Sequence, residues 1–461
     1  MIFPNSPGSA RQRVIVLGAG EIGFNLAQRL ARENRQVVVV DHNPQKLLAV
    51  QSALDVQALQ GSASSPATLA EAGAADASIV VAVTGNDEVN LLACLTANIL
   101  NPASLKLARV QREEYARMSE MLGPDHMNIK AIINPDVEVV NAVMRMLQLP
   151  TAVDYGEFAG SRVKVFAVEI HSGPLVGRPL TEFPDIAKDR GVRVSGILRG
   201  ERLVLPKGSD VINEGDVVYF VCLEESIATV LAIAGASFRP IRCICIVGGG
   251  DIGLRLARRL ETEKYRVKLV EADAARCSLL ADRLDNTMVL HGDGTDRDFM
   301  ISENIGEMDM VLALTGDEET NILACLLAKS IGATNTITRV NKNGYMPIVR
   351  AIGLKLSVNP RLAATNSIVH FLRRGLLLST LTTHDEDVEM LEAIVTDQST
   401  HIGRPLRDLP FPGGANLLAV MRWDEVFIPR GDTVLQPGDR VIVICESDRL
   451  EWVDAHLIGR K

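Results

Sequence analysis

The chain carries one long sequence unit twice, and this duplication limits its possible folds more than any other feature. The motif GAGEIG at residues 18–23 returns 230 residues later as GGGDIG at 248–253, in a chain of 461 residues. The similarity continues in VVAVTGNDEVNLLACLTA, from Val80, and VLALTGDEETNILACLLA, from Val311. Repeats of roughly 20 to 50 residues indicate solenoids, whereas a unit this long indicates two copies of a complete pair of domains. Little chain remains for a unique catalytic domain.

Each half of the chain alternates short apolar runs with helical patterns. In the first half, apolar runs at 13–17, 37–40, 78–83 and 107–110 predict buried strands, and apolar residues at helical spacing predict a helix over 21–32. Fully apolar strands that alternate with helices are typical of sheets covered on both faces. The predicted fold class is therefore α/β, with a Rossmann-like, doubly wound parallel sheet in each half.

A different pattern follows the glycine-motif region of each half. Helical stretches at about 137–149 and 362–372 predict linker helices. Short strands separated by turns with Gly and Pro follow, at about 162–236 and 391–457, and predict a small α+β domain in each half. The expected boundaries are 1–133 and 239–358 for the glycine-motif domains, 134–158 and 359–388 for the linker helices, and 159–238 and 389–461 for the small domains.

Composition disfavours several classes of protein. The net charge of −9 and the pI of about 5.5 disfavour nucleic-acid binding, because phosphates need a positive surface. An aromatic content of 4% also disfavours base-stacking platforms. The seven cysteines are odd in number and scattered, unlike a disulfide framework, and Cys243 and Cys245 lie in an apolar, strand-like run. We expect neither disulfides nor a metal site.

The sequence shows neither a membrane span nor a secretion signal. No run of about 18 apolar residues is present, and residues 1–13 lack the apolar region of a signal peptide. We therefore expect a cytosolic protein, and a peripheral role on a membrane protein stays open.

The two glycine motifs predict nucleotide-binding sites. The first glycine permits a tight turn, the second lets a pyrophosphate approach the backbone, and the third lets the helix pack on the strand. The helix then supplies free N–H groups and the positive end of its dipole. One such motif alone is weak, but both copies follow a predicted strand and open a predicted helix. The candidate residues are Gly18, Gly20, Glu21, Ile22 and Gly23, and Gly248, Gly250, Asp251, Ile252 and Gly253.

An acidic residue follows each glycine motif by about 20 positions, at the end of a predicted strand. These residues are Asp41 and Glu271. A carboxylate there accepts hydrogen bonds from ribose hydroxyls and repels a 2′-phosphate, which favours NAD or an adenine nucleotide over NADP. Arg276 lies close enough in sequence to weaken this exclusion in the second copy. The alternative is a Rossmann scaffold whose binding site has decayed.

Two further pairs of polar residues follow later apolar runs. Thr84 and Thr315 begin the similar segments TGNDEVN and TGDEETN, at the sheet edge where ligands bind in open α/β folds. Helix capping explains these segments equally well. Arg109 and Arg339 end the next apolar run, where an arginine can bind a phosphate bidentately or form a surface ion pair.

These motifs, in this order and in duplicate, resemble those of the TrkA family of bacterial Trk potassium uptake systems. The resemblance covers essentially the whole chain beyond residue 12. Its specific parts are the glycine motifs, AVTGNDEVNLLAC, ARVQREEY, LVGRPL, HFLRRG and the paired EGD and PGD turns. It implies two RCK (KTN) nucleotide-binding domains, each followed by an RCK C-terminal domain.

The resemblance also implies a function. The family consists of cytoplasmic, non-catalytic regulators on the inner face of the membrane, which bind NAD(H) and, as a further candidate, ATP or ADP. Such a protein would form a homo-oligomer, a dimer or a tetramer, and dock beneath a TrkH/TrkG-type potassium-translocating subunit to gate potassium flux. The family's binding positions carry over to the glycines, acids, threonines and arginines named above.

The first copy departs from the family pattern after the third strand. The family has a Gly-Asp step there, with the aspartate near the adenine end of the ligand. The second copy keeps it as Gly292-Asp293, whereas the first has Gly61-Ser62. We therefore expect the first site to bind more weakly or to prefer another nucleotide. Glu271, in place of the commoner aspartate, is a milder departure.

Two other functions compete with this interpretation. An NAD-dependent oxidoreductase would need a positioned acid or base and a substrate domain. The histidines His42, His171, His291 and His401 share no catalytic motif, and the duplicated layout leaves no separate catalytic domain. A structural scaffold that has lost ligand control is the third possibility.

Overall fold

The computed structural model forms two compact units, one of Met1–Val143 and Ile241–Leu372 and the other of Met144–Pro240 and Arg373–Lys461. The first unit contains the two glycine-motif domains, and the second contains the two small domains. Residues 1–11, where a signal peptide would begin, lie outside the described residues. The structure describes residues 12–33, 35–117, 127–187, 191–200, 202–236, 240–373, 377–382, 388–409, 411–412, 414–423, 425–446 and 449–459.

The first glycine-motif domain is a six-stranded parallel sheet with helices. Its strands are β1 (Arg13–Leu17), β2 (Gln36–Asp41), β3 (Gln57–Gln60), β4 (Ile79–Ala82), β5 (Leu105–Arg109) and β6 (Ile129–Ile133). Its helices are α1 (Glu21–Arg32), α2 (Pro44–Ala53), α3 (Pro66–Glu71), α4 (Asp87–Leu100), α5 (Glu113–Arg117) and α6 (Pro135–Gln148). The sheet order β3-β2-β1-β4-β5-β6 reverses direction between β1 and β4. Ligands of open parallel sheets bind at such a switch point, at the carboxyl ends of the strands.

The first small domain is an antiparallel sheet with two short helices. Its strands are β7 (Asp154–Phe158), β8 (Val163–Glu169), β9 (Val192–Arg199), β10 (Arg202–Val204) and β11 (Val217–Leu223), and its helices are α7 (Phe183–Ala187) and α8 (Ile227–Ile233). The strands lie in the order β10-β9-β11-β8-β7.

The second glycine-motif domain repeats the first. Its strands are β12 (Cys243–Val247), β13 (Arg266–Glu271), β14 (Met288–His291), β15 (Met310–Ala313), β16 (Asn335–Arg339) and β17 (Leu356–Val358). Its helices are α9 (Asp251–Thr262), α10 (Ala274–Ala281), α11 (Arg297–Ser302), α12 (Glu318–Ser330), α13 (Met346–Ala351) and α14 (Pro360–Arg373). The parallel order β14-β13-β12-β15-β16-β17 matches the first sheet strand for strand. Cys243 and Cys245 lie in β12 as predicted, and burial raises the pKa of Cys245 to about 12.

The second small domain has the same sheet order as the first, β18-β19-β22-β20-β21. Its elements are β18 (Leu377–Thr382), β19 (Val388–Ile394), β20 (Ala415–Arg422), β21 (Glu425–Phe427), β22 (Arg440–Glu446) and α15 (Leu450–Val453), with a π-helical turn at Asp454–Ile458. The two small domains share an apolar core, in which Val165 and Tyr219 of the first cluster with Met390 and Ile442 of the second.

The second linker helix, α14, packs on the first glycine-motif domain. Its residues Ala364 and Ile368 belong to the same buried core as Leu26 of α1. Asn366 accepts a hydrogen bond of 2.7 Å from Nη1 of Arg29, also on α1. The two glycine-motif domains are therefore joined by core packing as well as by the chain.

The predicted fold class is confirmed: two Rossmann-like parallel sheets are each followed by a small domain. The predicted helix over 21–32 has the observed bounds of α1. Both linker helices begin earlier than predicted, because Pro135 and Pro360 occupy the first helical turn, where a missing N–H costs nothing. The domain boundaries stay a prediction.

Candidate nucleotide-binding sites

The first glycine motif forms a tight turn between β1 and α1. Gly18 has a φ of +112°, and a Cβ on it would lie 2.9 Å from the backbone nitrogen of Thr84. A Cβ on Gly23 would collide with the carbonyl oxygen of Gly18. Gly20 differs, because its backbone is extended and a Cβ there would meet no atom within 4 Å. The space before Gly20, at the start of α1, is therefore free for a ligand phosphate.

The second glycine motif repeats this geometry. Gly248 has a φ of +107°, a Cβ on Gly253 would collide with the carbonyl oxygen of Gly248, and a Cβ on Gly250 would meet no atom within 4 Å. The buried Ile22 and Ile252 anchor the two helices in the core. The separate roles predicted for the three glycines therefore have a steric basis in both copies.

The acidic residues lie where the sequence predicted, at the ends of β2 and β13. Asp41 accepts hydrogen bonds from the backbone N–H groups of Ala19, at 2.7 Å, and Asn43, at 2.8 Å. Glu271 accepts from Gly249, at 2.7 Å, and Asp273, at 2.9 Å. Each carboxylate is therefore fixed against its glycine turn, and its remaining lone pairs are available to a ribose hydroxyl.

Thr84 and Arg109 are joined by a buried asparagine that the sequence analysis missed. Oδ1 of Asn90 accepts from the backbone N–H of Thr84, at 2.9 Å, and from its hydroxyl, at 2.7 Å. Nδ2 of Asn90 donates to the carbonyl of Arg109 at 2.9 Å, and Nη1 of Arg109 donates to the carbonyl of Thr84 at 2.9 Å. The cap of α4 is Asn86, which accepts from Val89. The segment therefore caps the helix through Asn86, as the capping alternative predicted, while Thr84 shapes the loop.

The second copy has the same network around Asn321. It accepts from the N–H and hydroxyl of Thr315, both at 2.8 Å, and donates to the carbonyl of Arg339 at 3.1 Å. Burial lowers the pKa of Arg339. Within the described ranges, neither Arg109 nor Arg339 forms an ion pair, so the surface ion pair considered for them is not observed. A desolvated guanidinium at this edge favours an anionic ligand. A polar residue repeated inside both apolar helices was the signal that could have identified the asparagines.

The two copies differ after the third strand, as the sequence indicates. Oδ1 of Asp293 accepts from the N–H of Thr295 at 2.8 Å and from its hydroxyl at 2.7 Å, and these bonds lower the pKa of Asp293. The side chain of Ser62 has one described hydrogen bond, to the hydroxyl of Ser64 at 3.3 Å. The second site therefore carries a fixed negative charge where the first is neutral.

A cleft of about 730 Å³ covers the glycine motif of the second copy. This volume lies within the usual range of small-molecule sites. The structure brings eight of the nine predicted residues of this copy to its lining; Gly253 packs beneath it. These eight are Gly248, Gly250, Asp251, Ile252, Glu271, Asp293, Thr315 and Arg339.

Residues of the first glycine-motif domain complete this cleft. Gln111 and Asp136 line it, and Nε2 of Gln111 donates to Oδ2 of Asp136 at 3.3 Å. At the first site, the second half of the chain contributes a residue in the same way. Arg361 on α14, at the position that corresponds to Asp136, forms an ion pair with Glu21 at the start of α1. Sequence patterns gave no indication of these cross-domain residues, because they come from the opposite half of the chain.

Two domain families match the chain in alternation. The TrkA-N domain matches residues 14–135 and 244–360, and the TrkA-C domain matches residues 165–235 and 390–457. The chain belongs to the TrkA family. The matched TrkA-N ranges contain both parallel sheets, and the matched TrkA-C ranges lie in the antiparallel domains.

Relatives within the family match over nearly their full length. The Trk system potassium uptake protein TrkA of Azorhizobium caulinodans is 36% identical over 447 residues, which are 96% of this chain and 98% of the relative. The protein of the same name from Halomonas elongata is 35% identical over 441 residues, 95% of this chain and 96% of the relative.

Solved structures share the fold of the whole chain. The GsuK RCK domain has a TM-score of 0.58 at 19% identity and covers 99% of this chain and 97% of its own. The GsuK channel bound to NAD has a TM-score of 0.59 at 18% identity, with 99% of this chain and 80% of its own covered. These similarities show that the chain shares the fold of these structures.

The described residues bear on two further features, metal sites and membrane-spanning helices. No group of three or more His, Cys, Asp or Glu side chains among them is placed to hold a metal ion. In that same part of the chain, none of the helices has the length and apolar character needed to cross a bilayer.

Proposed function

We propose that the chain is a cytoplasmic regulatory subunit, peripheral on the inner face of the membrane, that binds NAD(H) and gates a TrkH/TrkG-type potassium-translocating subunit. The observation that carries this proposal is the second cleft, whose walls come from both glycine-motif domains. A ligand in that cleft touches Gln111 and Asp136 of one domain and the glycine turn of the other. Its binding energy therefore depends on how the two domains are arranged, which is the requirement for a population shift.

The residues of the cleft fit a dinucleotide. The open space before Gly250 admits a pyrophosphate, and the start of α9 supplies free N–H groups to it. Glu271 is positioned for ribose hydroxyls, and Arg339 offers a cation without an ion-pair partner among the described residues. A channel with a similar fold is described as bound to NAD, which supports the same ligand for this chain.

The first site fits a more highly charged nucleotide, such as ADP or ATP. The first site has Ser62 and Asn86 at the two positions where the second has Asp293 and Asp317. The residue contributed by the opposite domain is Arg361 at the first site and Asp136 at the second. Fewer carboxylates and more guanidinium groups favour a larger negative charge on the ligand.

The two sites are also in contact through one side chain. Oε1 of Gln111 accepts a hydrogen bond of 2.9 Å from Nη2 of Arg109, at the first site, while Gln111 itself lines the second cleft. Occupancy of either site therefore changes the surroundings of the other. By linkage, docking to the membrane partner must alter nucleotide affinity by the same factor as nucleotide alters docking.

The function proposed for the cleft is binding without catalysis. His42 is exposed next to Asp41, and His291 contacts the carbonyl of Ala272 at 3.1 Å. Neither histidine lines the second cleft, so neither is placed to exchange a proton with a substrate bound there. An NAD-dependent oxidoreductase is the competing function, and sustained oxidation of NADH in the presence of polar metabolites would establish it.

The direct test is a thermal-shift panel with NAD⁺, NADH, NADP⁺, ATP and ADP. A ligand at 100 times its Kd stabilises the native state by about 2.7 kcal/mol, which gives a measurable rise in Tm. The Gly20→Val/Gly250→Val variant should keep the fold, because both positions have room for a side chain, and should lose the shift. Gly344→Val is the matched control, since Gly344 also has free space and does not line the second cleft.

The cellular test is potassium uptake at limiting external potassium in a strain that lacks the gene. Wild-type protein should restore uptake, and the Gly20→Val/Gly250→Val variant should alter its response to nucleotide. Absence of any ligand shift with normal restoration of uptake would favour a scaffold without ligand control.

A further inference from the structure

The hairpin between β20 and β21 presents a tryptophan to solvent. Arg422 pairs with Glu425 across the hairpin, and Trp423 lies in the turn that follows Arg422. The side chain of Trp423 is 90% exposed. The chain has one other tryptophan, Trp452, whose indole stacks on the ring of His456 at 4.8 Å. Trp423 therefore contributes nothing to the core.

The backbone of this turn disfavours a tryptophan. Trp423 has a φ of +55°, in the left-handed region where a Cβ is unfavourable. In the first small domain Arg199 pairs with Arg202 in the same way, and the residue that corresponds to Trp423 is Gly200, with a φ of +64°. Glycine adopts this conformation without steric cost. The fold therefore accommodates glycine at this position, and the role of the tryptophan is not structural.

The base of the hairpin is held firmly. Nε and Nη2 of Arg422 donate to the two carboxylate oxygens of Asp439, both at 2.8 Å, and Nη2 also donates to the carbonyl of Val434 at 2.7 Å. Asp439 is buried, and its hydrogen bond raises the pKa of Arg422. A large aromatic side chain on a fixed base loses little conformational entropy on binding, which is the property of interface anchor residues.

The charge around Trp423 identifies the chemistry of its partner. Asp439 neutralises Arg422, whereas the carboxylate of Glu425 is exposed beside the turn, so this end of the hairpin carries a net negative charge. An acidic tip is repelled by the anionic surface of the inner leaflet. It is attracted to the cytoplasmic loops of membrane proteins, which carry an excess of Lys and Arg.

We propose that Trp423 is a docking anchor that inserts into an apolar pocket on a basic cytoplasmic loop of the potassium-translocating subunit, with Glu425 paired to the basic residues around the pocket. This proposal rests on the function proposed above, because it takes its partner from there. The opposite hairpin, with Gly200, lacks the anchor, so only the second small domain makes this contact.

The test is the binding of full-length protein to the membrane subunit reconstituted in nanodiscs of neutral lipid. Trp423→Gly should raise the Kd by at least about tenfold, the usual effect of removing an interface anchor. Its Tm should be unchanged or higher, because glycine suits the turn, and its nucleotide-induced shift should be retained. Glu425→Gln should weaken binding mainly at low salt. Gly200→Trp is the control and should leave the Kd unchanged.

Each outcome separates the two proposals. If wild-type protein does not bind the subunit, the proposed function itself fails. If wild type binds and Trp423→Gly binds equally well, only the docking assignment is overturned. Trp423-dependent binding to anionic vesicles that lack the subunit would show a lipid contact instead, and a Trp423-dependent change in oligomer mass would show a contact between copies of this chain. Either result overturns the assignment.

Discussion

The backbone N–H of Gly249 donates a hydrogen bond of 2.7 Å to Oε2 of Glu271, and a Cβ on Gly249 would lie 3.0 Å from that same oxygen. It would also collide with the Cδ1 methyl group of Leu280. In the first copy, the corresponding hydrogen bond joins Ala19 to Asp41, also at 2.7 Å. The longer acid of the second copy and the glycine beside it are therefore coupled, because the extra methylene of glutamate and a methyl group cannot share this space.

This coupling predicts the effect of Gly249→Ala. The substitution overpacks the site and should lower the free energy of unfolding by about 1–3 kcal/mol, measured by urea denaturation. It should also displace Glu271 and weaken NAD⁺ binding. Ala19→Gly in the first copy creates no collision and should change stability by less than about 1 kcal/mol.

A combined variant tests the explanation. Gly249→Ala with Glu271→Asp and Leu280→Val reproduces the residues of the first copy, Ala19, Asp41 and Val50. It should recover most of the lost stability, since both colliding side chains become smaller. If the triple variant is as unstable as Gly249→Ala alone, the coupling is not steric.

Strands could be predicted from the sequence wherever consecutive residues are all buried. The strands β1, β2 and β4 are apolar runs buried on both faces, so their pattern is unambiguous. The strand β3, with the sequence QALQ, was not predicted as an element of its own because its two ends are exposed and polar. Such a strand owes its conformation to pairing with β2 rather than to its own side chains.

The site could be predicted only in its local parts. Gly18, Gly20 and Gly23 were identifiable because their roles depend on backbone geometry within six residues of chain. Asp136 and Arg361 were not, because each lies on a linker helix and reaches the glycine motif of the other half. Contacts of this range leave no period or spacing in the sequence.

Arg339→Gln separates a ligand-binding role from a structural one. The guanidinium is desolvated, which lowers its pKa, and within the described residues it has no ion-pair partner. It also donates to the carbonyl of Thr315 and to Oδ1 of Asn341, so its removal should lower the free energy of unfolding by only about 0.5–1.5 kcal/mol. NAD⁺ affinity should fall by at least about tenfold, because a charge-assisted bond to phosphate is lost. Isothermal titration calorimetry and urea denaturation on the same preparation measure both quantities; a large loss of stability with unchanged affinity would assign Arg339 to the fold instead.

Gln111→Ala should uncouple the two sites. In protein with Gln111, blocking the first site by Gly20→Val should change the NAD⁺ affinity of the second, because Gln111 contacts Arg109 and lines the second cleft. In the Gln111→Ala background, the same blocking substitution should have no effect on that affinity. The four affinities form a double-mutant cycle, whose interaction energy is expected to be about 0.5–3 kcal/mol for groups in contact. Equal effects of Gly20→Val in both backgrounds would show that the coupling runs elsewhere.

His401 makes the second small domain sensitive to acid. The residue is 2% exposed, and its ring lies edge-on to Trp452, at 5.1 Å between centroids, and to Phe411, at 5.6 Å. Nδ1 contacts the hydroxyl of Thr400 at 3.0 Å, whereas Nε2 has no hydrogen-bond partner in the described part of the chain. Burial, reinforced by the nearby His456 and Arg404, lowers the pKa of His401.

The sign of the effect follows from the lowered pKa. Above about pH 6.5, the ordinary pKa of histidine, His401 is neutral in both the folded and the unfolded chain and has no effect on the pH dependence of stability. Below that pH the histidine is protonated in the unfolded chain but stays neutral in the folded chain. The free energy of unfolding should therefore fall by at most about 1.4 kcal/mol per pH unit, until the pH reaches the pKa of His401 in the folded chain.

His401→Leu should remove this component of the pH dependence, because the first small domain carries the buried Leu175 at the corresponding position. The measurement is urea denaturation between pH 5 and 7.5, followed by the fluorescence of Trp452 in a Trp423→Gly background that leaves it as the sole tryptophan. The leucine variant should match its parent near pH 7.5 or exceed it, and the gap should widen in its favour as the pH falls. Parallel stability curves for the two proteins would show that the acid sensitivity resides in other groups.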